Sequence, residues 1–364
     1  MRTDTTKPET ILIGPIPPPF GGISVHVLRL KSFLESTGET VSILDYTKRG
    51  TAREVLRLAF SFVVLFLRLK IKWLPFVGTR PSVIHVHISA ARRYLIWGFL
   101  FRMFTLGEAC VLTVHSGRIV GEIRKMGLTK KSFVSWLFRG FDKVIAVSEE
   151  QRDTLKEGLG IPIDRMEVIP AFIPPSEVPT KRRQPSSAPP VIAACGLLDP
   201  VYGYDVLLNA VELLREKEFQ FKVNIVSYGV DTDRYGGSIK RRCESLGVHM
   251  INSLPPDEFI NFLSGVDIFV RPSLVDGDAN SLREAHWAGA RVVASDCVKR
   301  PEWARLFPTG DAESLADCLA ELLATRRNGA GFDQSGQEGE RVKAVYREIL
   351  SSGAKEVENQ RCPC

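Results

Sequence analysis

The sequence predicts an α/β protein made of two doubly wound, Rossmann-like domains that face each other across a cleft. Its 364 residues exceed the ~250–300 at which a single core usually stops growing. Short β-branched runs alternate with longer helix-compatible segments in both halves, a pattern typical of βαβ units around a parallel sheet. A stretch rich in proline, serine and charge, Pro174–Pro190, separates the halves and indicates a linker.

Each half contributes its own set of predicted strands. Those of the first half are Ile11–Ile13, Val41–Tyr46, Val83–Ile88, Val111–His115, Lys143–Ser148 and Met166–Pro170. Those of the second half are Val191–Gly196, Lys222–Gly229, Asp267–Ser273 and Arg291–Asp296. The first helix carries an apolar stripe at helical spacing, formed by Ile23, Val27, Leu30 and Leu34. We therefore predict an N-terminal domain over 1–175, a linker over 176–190, a C-terminal domain over 191–335 and a final helix and tail over 336–364.

The charge distribution predicts an anionic partner surface for the first half. Residues 1–180 carry 25 Lys and Arg against 16 Asp and Glu, and residues 47–140 carry 17 against 3. This region includes an uncharged run of ten residues, Leu58–Leu67, nine of them apolar, between basic flanks, about half of the ~20 needed to span a bilayer. The run fits a buried core helix or a helix in the membrane interface, and a similar mixture at 91–102 favours the interface. Nucleic-acid binding is disfavoured, because long aliphatic runs interrupt the basic segments.

Cysteine usage and the N-terminus predict a cytoplasmic protein, peripheral on the inner face of the cytoplasmic membrane. The seven cysteines are scattered, with no CxxC pair and no histidines at metal-ligand spacing. The N-terminal MRTDTTKPET is polar and unlike a secretory signal. Two DxD triplets, at 231–233 and 276–278, resemble metal motifs of another fold, but two Rossmann-like domains do not fit that fold. We expect no metal.

The first motif that carries chemistry is Gly14–Leu30, GPIPPPFGGISVHVLRL. A strand ends, prolines force an extended turn, and Gly21-Gly22 opens a helix. Glycines let main-chain amides approach a ligand, and a helix N-terminus favours an anion such as a diphosphate. The pattern is not GxGxxG, so it does not favour a nicotinamide or flavin site. A plain tight turn remains an equally good interpretation.

The second motif is Leu274–Asp296, an acidic loop followed by a helix, a glycine and a strand. Asp276 and Glu284 are separated by seven residues. If the helix begins near Ala279 or Asn280, its first amides can bind phosphate oxygens. Glu284 could then accept hydrogen bonds from a ribose diol, and Asp276 from pyranose hydroxyls, because vicinal diols offer two donors in fixed geometry.

These motifs, taken in order, resemble the retaining family-4 (group 1) glycosyltransferases of the GT-B fold, most of all those of bacterial polysaccharide biosynthesis. The resemblance covers about 11–323 and includes VIAVSEEQRDTL, MEVIPAFIPP, ACGLL, VDIFVRPS and EAHWAGARVVAS. It implies that Glu284 binds the donor ribose, Asp276 the donor sugar, and Gly21 and Gly22 the diphosphate. His115 matches a histidine that contacts the donor sugar near the reacting carbon, and we assign His115 and Asp276 to catalysis. The residues whose amides would contact sugar and phosphate are Gly277, Asp278, Ala279, Asn280, Ser281 and Leu282.

Three departures from the family pattern concern the donor phosphates. The first acidic residue of the pair is Asp276 rather than glutamate, and VKRPE at 298–302 replaces a glycine pair before Pro-Glu. The usual diphosphate-binding Arg and Lys fall on Leu197 and Tyr202. Either Arg271 or Arg283 compensates, or amides and the helix dipole hold the phosphates. The other N-domain histidines (His26, His85, His87) can be structural or serve the acceptor side.

The function that follows is transfer of a hexosyl unit, with retention, from a nucleotide diphosphate sugar to a membrane-associated, lipid-linked saccharide. The donor is expected to be UDP-linked, and no cofactor is needed beyond this nucleotide-sugar co-substrate. An epimerase of the same fold is one alternative, although it would need an acid/base pair that the sequence does not reveal. A non-catalytic membrane-associated scaffold is the other.

Overall fold

The computed structural model describes residues 9–17, 20–46, 82–89, 108–115, 117–173, 189–228, 234–277, 279–325 and 337–361. Several sequence predictions lie outside these residues. They concern the Leu58–Leu67 run, the segment at 91–102, most of the linker, the triplet at 231–233 and Asp278. The chain divides into two compact units, residues 1–17, 23–173 and 337–364 in one and residues 18–22 and 174–336 in the other.

The first unit contains a six-stranded parallel sheet in the order β2-β1-β3-β4-β5-β6. Its strands are β1 (Glu9–Ile13), β2 (Thr40–Leu44), β3 (Ser82–Ile88), β4 (Ala109–Val114), β5 (Lys143–Ala146) and β6 (Met166–Val168). Its helices are α1 (Gly22–Ser36), α2 (Arg118–Arg124), α3 (Leu128–Phe138), α4 (Glu149–Leu159) and α10 (Glu338–Arg361), with a 3-10 turn at Ile163–Arg165.

The second unit contains another six-stranded parallel sheet, in the order β12-β11-β10-β7-β8-β9. Its strands are β7 (Val191–Gly196), β8 (Lys222–Ser227), β9 (His249–Asn252), β10 (Ile268–Arg271), β11 (Arg291–Ser295) and β12 (Arg305–Phe307). Its helices are α5 (Tyr204–Glu216), α6 (Arg234–Ser245), α7 (Pro256–Ser264), α8 (Asn280–Trp287) and α9 (Ala312–Ala324), with a 3-10 turn at Pro200–Tyr202. The predicted α/β class with two parallel sheets is confirmed.

The first sheet is buried on both faces, as a parallel sheet requires. Alternate residues of β1 enter different cores: Ile11 and Ile13 join one, and Leu12 joins the other. The second of these cores includes the predicted apolar stripe of α1 and also the C-terminal helix α10. Its helical members are Val27, Leu30, Leu34, Val342, Val345, Tyr346 and Ile349. The final helix therefore completes the core of the first unit.

No helix among the residues that the structure describes has the length and apolarity needed to cross a membrane.

A glycine ends α4 and offers a test of the backbone geometry. Gly160 has φ +63° and caps the helix, with its amide bonded to the Lys156 carbonyl. An added Cβ would meet only Arg139 Nη2, at 3.2 Å. We expect Gly160→Ala to lower the free energy of unfolding by about 1–2 kcal/mol, because an L-residue is strained in the left-handed region.

The matched control is Gly121→Ala, within α2, where an added Cβ meets nothing within 4 Å. This substitution should raise stability, since alanine is about 0.5–1 kcal/mol better than glycine inside a helix. Urea denaturation of both variants measures the two shifts. Shifts of the same sign would contradict the geometry at Gly160.

Candidate functional site

The predicted donor residues of the second motif lie where the strand order of the second sheet reverses. From β7 the chain continues to β8 and β9 on one side, whereas β10 pairs with the other edge of β7. Loops that leave the carboxyl ends of β7 and β10 therefore diverge, and ligands of open α/β sheets bind in the crevice that results. Arg271 ends β10, and Asp276 and α8 follow it along the chain. The structure thus brings the residues of the second motif to this crevice.

A buried ion network occupies the loop between β10 and α8. Arg271 contacts Asp276 through two bonds, Nε to Oδ2 at 3.0 Å and Nη2 to Oδ1 at 3.1 Å. Arg300 Nη1 lies 3.0 Å from Asp276 Oδ2, and the Gly277 amide donates to Oδ1 at 3.0 Å. The side chains of Arg271, Asp276 and Arg300 are only 11%, 10% and 1% exposed. We call these three residues the ion triad.

Asp276 Oδ1 accepts from Arg271 and from the Gly277 amide, whereas Oδ2 accepts from Arg271 and forms an ion pair with Arg300. Burial opposes ionisation of this carboxyl, but the guanidinium groups of Arg271 and Arg300 outweigh burial and hold its pKa below the ordinary value. Burial likewise opposes the charge on Arg271, and Asp276 reverses this and raises the pKa of Arg271. Two guanidinium groups share one carboxylate, so the ion triad keeps one net positive charge. A sugar hydroxyl that bonds Asp276 therefore competes with Arg271, Arg300 and the Gly277 amide.

Arg271 also explains the tyrosine at the position of the missing lysine. Its guanidinium carbon lies 4.8 Å from the centre of the Tyr202 ring, a cation–π contact. Its Nη1 donates to the Cys195 carbonyl at the end of β7, at 3.1 Å. Tyr202 thus holds the arginine that the sequence suggested as a substitute cation. Leu197, at the other missing charge, is an exposed side chain.

Two glycines fix this tyrosine and the start of α5. Gly203 has φ +69°, and a Cβ there would lie 1.9 Å from the Pro272 carbonyl oxygen. At Gly196 an added Cβ would lie 2.2 Å from Tyr202 Cδ1. Neither position tolerates a side chain without movement of its neighbour. The glycines therefore allow the β7 loop to approach the β10 loop closely.

Helix α8 begins at Asn280, within the range that the sequence predicted. Asn280, Ser281, Leu282 and Glu284 are buried, and the N-cap residue, Ala279, has no side chain that can cap the helix. The buried Asn280 Oδ1 has no hydrogen-bond partner in the described part of the chain. Glu284 lies close enough to Cys195 to contribute, after burial, to raising the pKa of that thiol to about 11. Arg283 is half-buried on the same helix.

Sequence reasoning missed Arg300. Besides Asp276, this side chain bonds the Ser295 carbonyl (Nε, 3.1 Å) and the Gly277 carbonyl (Nη1, 3.3 Å). It therefore joins the end of β11 to the loop after β10. The sequence feature that could have revealed Arg300 is the departure from the family pattern at 298–302. Arg300 stands there at a position where the family has one of its two glycines.

In the first unit, His115 follows β4 and belongs to a group of four histidines, of which the other three are buried. Its Nε2 lies 3.0 Å from His87 Nδ1. His26, on α1, has its ring centre 4.8 Å from that of His115. His85 uses both ring nitrogens, Nδ1 with Tyr346 Oη and Nε2 with Thr113 Oγ1, each at 2.6 Å. We call these four residues the histidine cluster.

Burial, with lesser contributions from neighbouring charges, lowers the pKa of every imidazole in the cluster. The pKa of His26 falls to about 4, and those of His85, His87 and His115 lie well below 6.5. The four rings are therefore neutral at pH 7.

Gly21 precedes α1 and Gly22 opens it, and an added Cβ at Gly22 would meet nothing within 4 Å.

Comparisons with known proteins agree with this architecture. Residues 20–177 match the family model described as Glycosyltransferase Family 4, and residues 189–325 match the one described as Glycosyl transferases group 1. The amylovoran biosynthesis glycosyltransferase AmsK of Erwinia amylovora is 29% identical over 178 residues. That match covers 45% of this chain and 43% of AmsK, so it spans less than half of the relative.

Two solved structures resemble the whole chain. A glycosyltransferase from Rickettsia africae ESF-5 is 16% identical, with a TM-score of 0.65 and 97% of each chain covered. Anabaena Alr3699/HepE, solved in complex with UDP-glucose, is 14% identical, with a TM-score of 0.64 over 95% of this chain and 99% of that one. The chain belongs to the family-4 (group 1) glycosyltransferases and has their GT-B fold.

Proposed function

We propose that this protein is a retaining hexosyltransferase that uses a nucleotide diphosphate sugar, UDP-linked, as its donor. The observation that carries the proposal is the crevice beside β7 and β10. There a buried ion triad with one net positive charge lies beside the loop that leads to α8, a helix whose N-cap residue, Ala279, supplies no side-chain cap. A diphosphate is an anion that both features stabilise. The UDP-glucose bound by Alr3699/HepE supports the choice of nucleotide.

The donor-binding roles follow from where the side chains lie. Glu284, buried on the second turn of α8, accepts hydrogen bonds from the ribose diol. The amides of 279–281 bind sugar and phosphate oxygens, and Arg283 adds positive charge from the same helix. The predicted contacts of the Gly277 and Leu282 amides need correction, because these amides already donate to Asp276 Oδ1 and to the Ala279 carbonyl. Asp278 keeps its predicted role from the sequence. Gly21 and Gly22 approach the diphosphate through their main chain.

The chemistry depends on orientation and electrostatics more than on a nucleophile. Asp276, paired with two arginines and with a lowered pKa, is a poor nucleophile, so we assign it to holding the arginines and the loop in place. Its predicted contact with the donor sugar competes with these partners. The leaving phosphate takes the acceptor proton on the same face of the sugar, which retains the configuration. Neutral His115 offers hydrogen bonds to the sugar near the reacting carbon, and the ion triad stabilises the leaving diphosphate.

A thermal-shift screen against UDP-, GDP-, ADP- and dTDP-sugars tests the donor class. A ligand at about 100 times its dissociation constant adds ~2.7 kcal/mol to stability. Transfer is then assayed with the bound donor and a lipid-linked saccharide, and the anomeric configuration of the product is read by NMR. Binding without transfer or hydrolysis would favour the scaffold, and an altered donor sugar would favour an epimerase.

Glu284→Gln should weaken binding of the bare nucleotide and of the nucleotide sugar by the same amount. We expect a loss of about 1.5–3 kcal/mol, as for a hydrogen bond to a charged group, measured by calorimetry. The matched control is Glu216→Gln, at the exposed end of α5, which should leave both affinities unchanged. Unaltered affinity of Glu284→Gln for the bare nucleotide would remove this residue from the ribose site.

We further propose that the acceptor is lipid-linked and that the enzyme acts at an anionic membrane in bacterial surface polysaccharide biosynthesis. The amylovoran relative supports the pathway class, and the 17 to 3 excess of basic residues over 47–140 supports the membrane. The Leu58–Leu67 run that would enter the interface lies outside the described residues.

Vesicle sedimentation tests this membrane proposal. The protein should pellet with anionic vesicles at low salt and be only partly released by 1 M NaCl, because salt screens charge but not apolar insertion. Changing Phe62 and Leu65 to Ser should make the release complete in a variant that still folds. Failure to pellet at low salt, or unfolding of that variant, would indicate a buried core helix instead.

A further inference from the structure

Three members of the histidine cluster converge on one point of the first unit. His26 lies on α1, His87 on β3, and His115 directly after β4. One ring nitrogen from each lies within 4.8 Å of the other two. His26 is 3% exposed and His87 fully buried, whereas His115 is half-buried. The three imidazoles thus form a compact group that can be reached from the His115 side.

The tautomer of His26 leaves a lone pair available. Its Nδ1 contacts the carbonyl oxygen of Ala171, which can only accept a hydrogen bond, so Nδ1 carries the proton. With the proton on Nδ1, Nε2 is the ring nitrogen that can bind a ligand. A backbone carbonyl that accepts from the far ring nitrogen is the usual way in which proteins orient a metal-binding histidine.

His87 independently indicates a ligand site, because one of its ring nitrogens is left without a hydrogen-bond partner among the described residues. Its Nε2 is buried and has no partner among the described residues, an unfavourable state for a polar atom. Its Nδ1 lies 3.0 Å from His115 Nε2, and the two atoms share a hydrogen bond. When Nδ1 donates this bond, the lone pair of His87 lies on the unpartnered Nε2, which is then the atom that can bind a ligand.

We propose that His26, His87 and His115 bind one Zn²⁺ ion, with a fourth position left for water. Neutral imidazole suits zinc and related transition metals, whereas Mg²⁺ and Ca²⁺ prefer oxygen ligands. The group contains no carboxylate, which disfavours these harder ions further. His85 is not a ligand, because Tyr346 and Thr113 occupy both of its nitrogens.

Zinc binding would engage His115, the residue that we place beside the donor sugar. Zn²⁺ should therefore inhibit transfer. The binding itself does not depend on the proposed function, so the primary experiment measures metal and not activity.

Chelator-treated protein is titrated with Zn²⁺ in competition with a chromophoric chelator, and bound zinc is counted after desalting by mass spectrometry. Wild type should hold one equivalent, and Mg²⁺ should not displace it. His26→Gln and His115→Gln should lose more than the about 10–100-fold in affinity that loss of an outer-shell partner causes. The control His249→Gln removes an exposed histidine of β9 in the other unit and should bind as wild type does.

Co²⁺ provides a second readout on the wild-type protein, in case a variant does not fold. Visible bands of four-coordinate Co²⁺ without thiolate-to-metal charge transfer support the three-histidine site. Thiolate bands would assign the metal to some of the seven cysteines and overturn the proposal. So would wild-type protein that binds no zinc, or zinc that survives the substitution of His115.

Discussion

Asp276→Ala should lower the free energy of unfolding by about 3–5 kcal/mol, the usual result of breaking a buried ion pair from one side. The substitution leaves Arg271 and Arg300 with two buried positive charges and no carboxylate. Asp276→Asn should cause a smaller loss, because its amide oxygen still accepts a hydrogen bond. Chemical denaturation at pH 7 measures both. The same variants should lose donor binding, since the loop that carries Gly277 is held by Asp276.

Two further variants test whether burial of the ion triad causes the large loss of unfolding free energy in Asp276→Ala. Asp317→Ala breaks an ion pair with Lys217 in which the side chains are 70% and 54% exposed, and it should change stability by less than about 1 kcal/mol. Combining Asp276→Ala with Arg300→Met should recover part of the loss, because one unpaired charge is removed. An effect of Asp276→Ala no larger than that of Asp317→Ala would contradict the ion triad.

Acidification should destabilise the first unit well before carboxylates are protonated. Unfolded imidazoles take up protons as the pH falls below 6.5, whereas the buried cluster stays neutral until a lower pH. The unfolded state then binds more protons, so stability falls with pH. His26, whose pKa is lowered to about 4, alone accounts for a loss of up to about 3 kcal/mol by pH 4, at 1.36 kcal/mol per pH unit. Asp276, with its lowered pKa, contributes only below about pH 4.

The measurement is the free energy of unfolding between pH 7.5 and 4.5, with a chelator present. His115→Gln should flatten the profile, because it removes one group that titrates on unfolding. His249→Gln is the matched control and should keep the wild-type profile. A wild-type profile that is level across this range would show that the histidines are not buried in neutral form.

Much of the fold was predictable because its signals are local. The β-branched runs mark most strands of both sheets, and the spacing of Val27, Leu30 and Leu34 identifies the buried face of α1. The strands β9 and β12, with the sequences HMIN and RLF, escaped prediction because they are short and poor in β-branched residues. No periodicity indicates that α10 packs on the first unit, since an apolar stripe does not identify its partner.

The candidate site was predictable where a motif is continuous along the chain. The start of α8 followed from the acidic loop and the helix pattern, and Glu284 lies on the second turn of that helix. The partnership of Arg300 with Asp276, and of Arg271 with Tyr202, joins residues that are distant in sequence. Which carboxylate or ring a guanidinium meets is decided by tertiary packing, and a single sequence does not encode that choice locally.

The position of α10 has a consequence for the order in which the chain can fold during synthesis. The first unit is nearly complete when Ile173 is made, but Val342, Val345 and Ile349 still have to cover one face of its sheet. The roughly 170 residues between them take about 10–30 s to synthesise at ~5–20 residues per second. During that interval the nascent chain exposes an apolar surface beside α1. The N-terminal half therefore acquires its full core only after the C-terminal half has been translated.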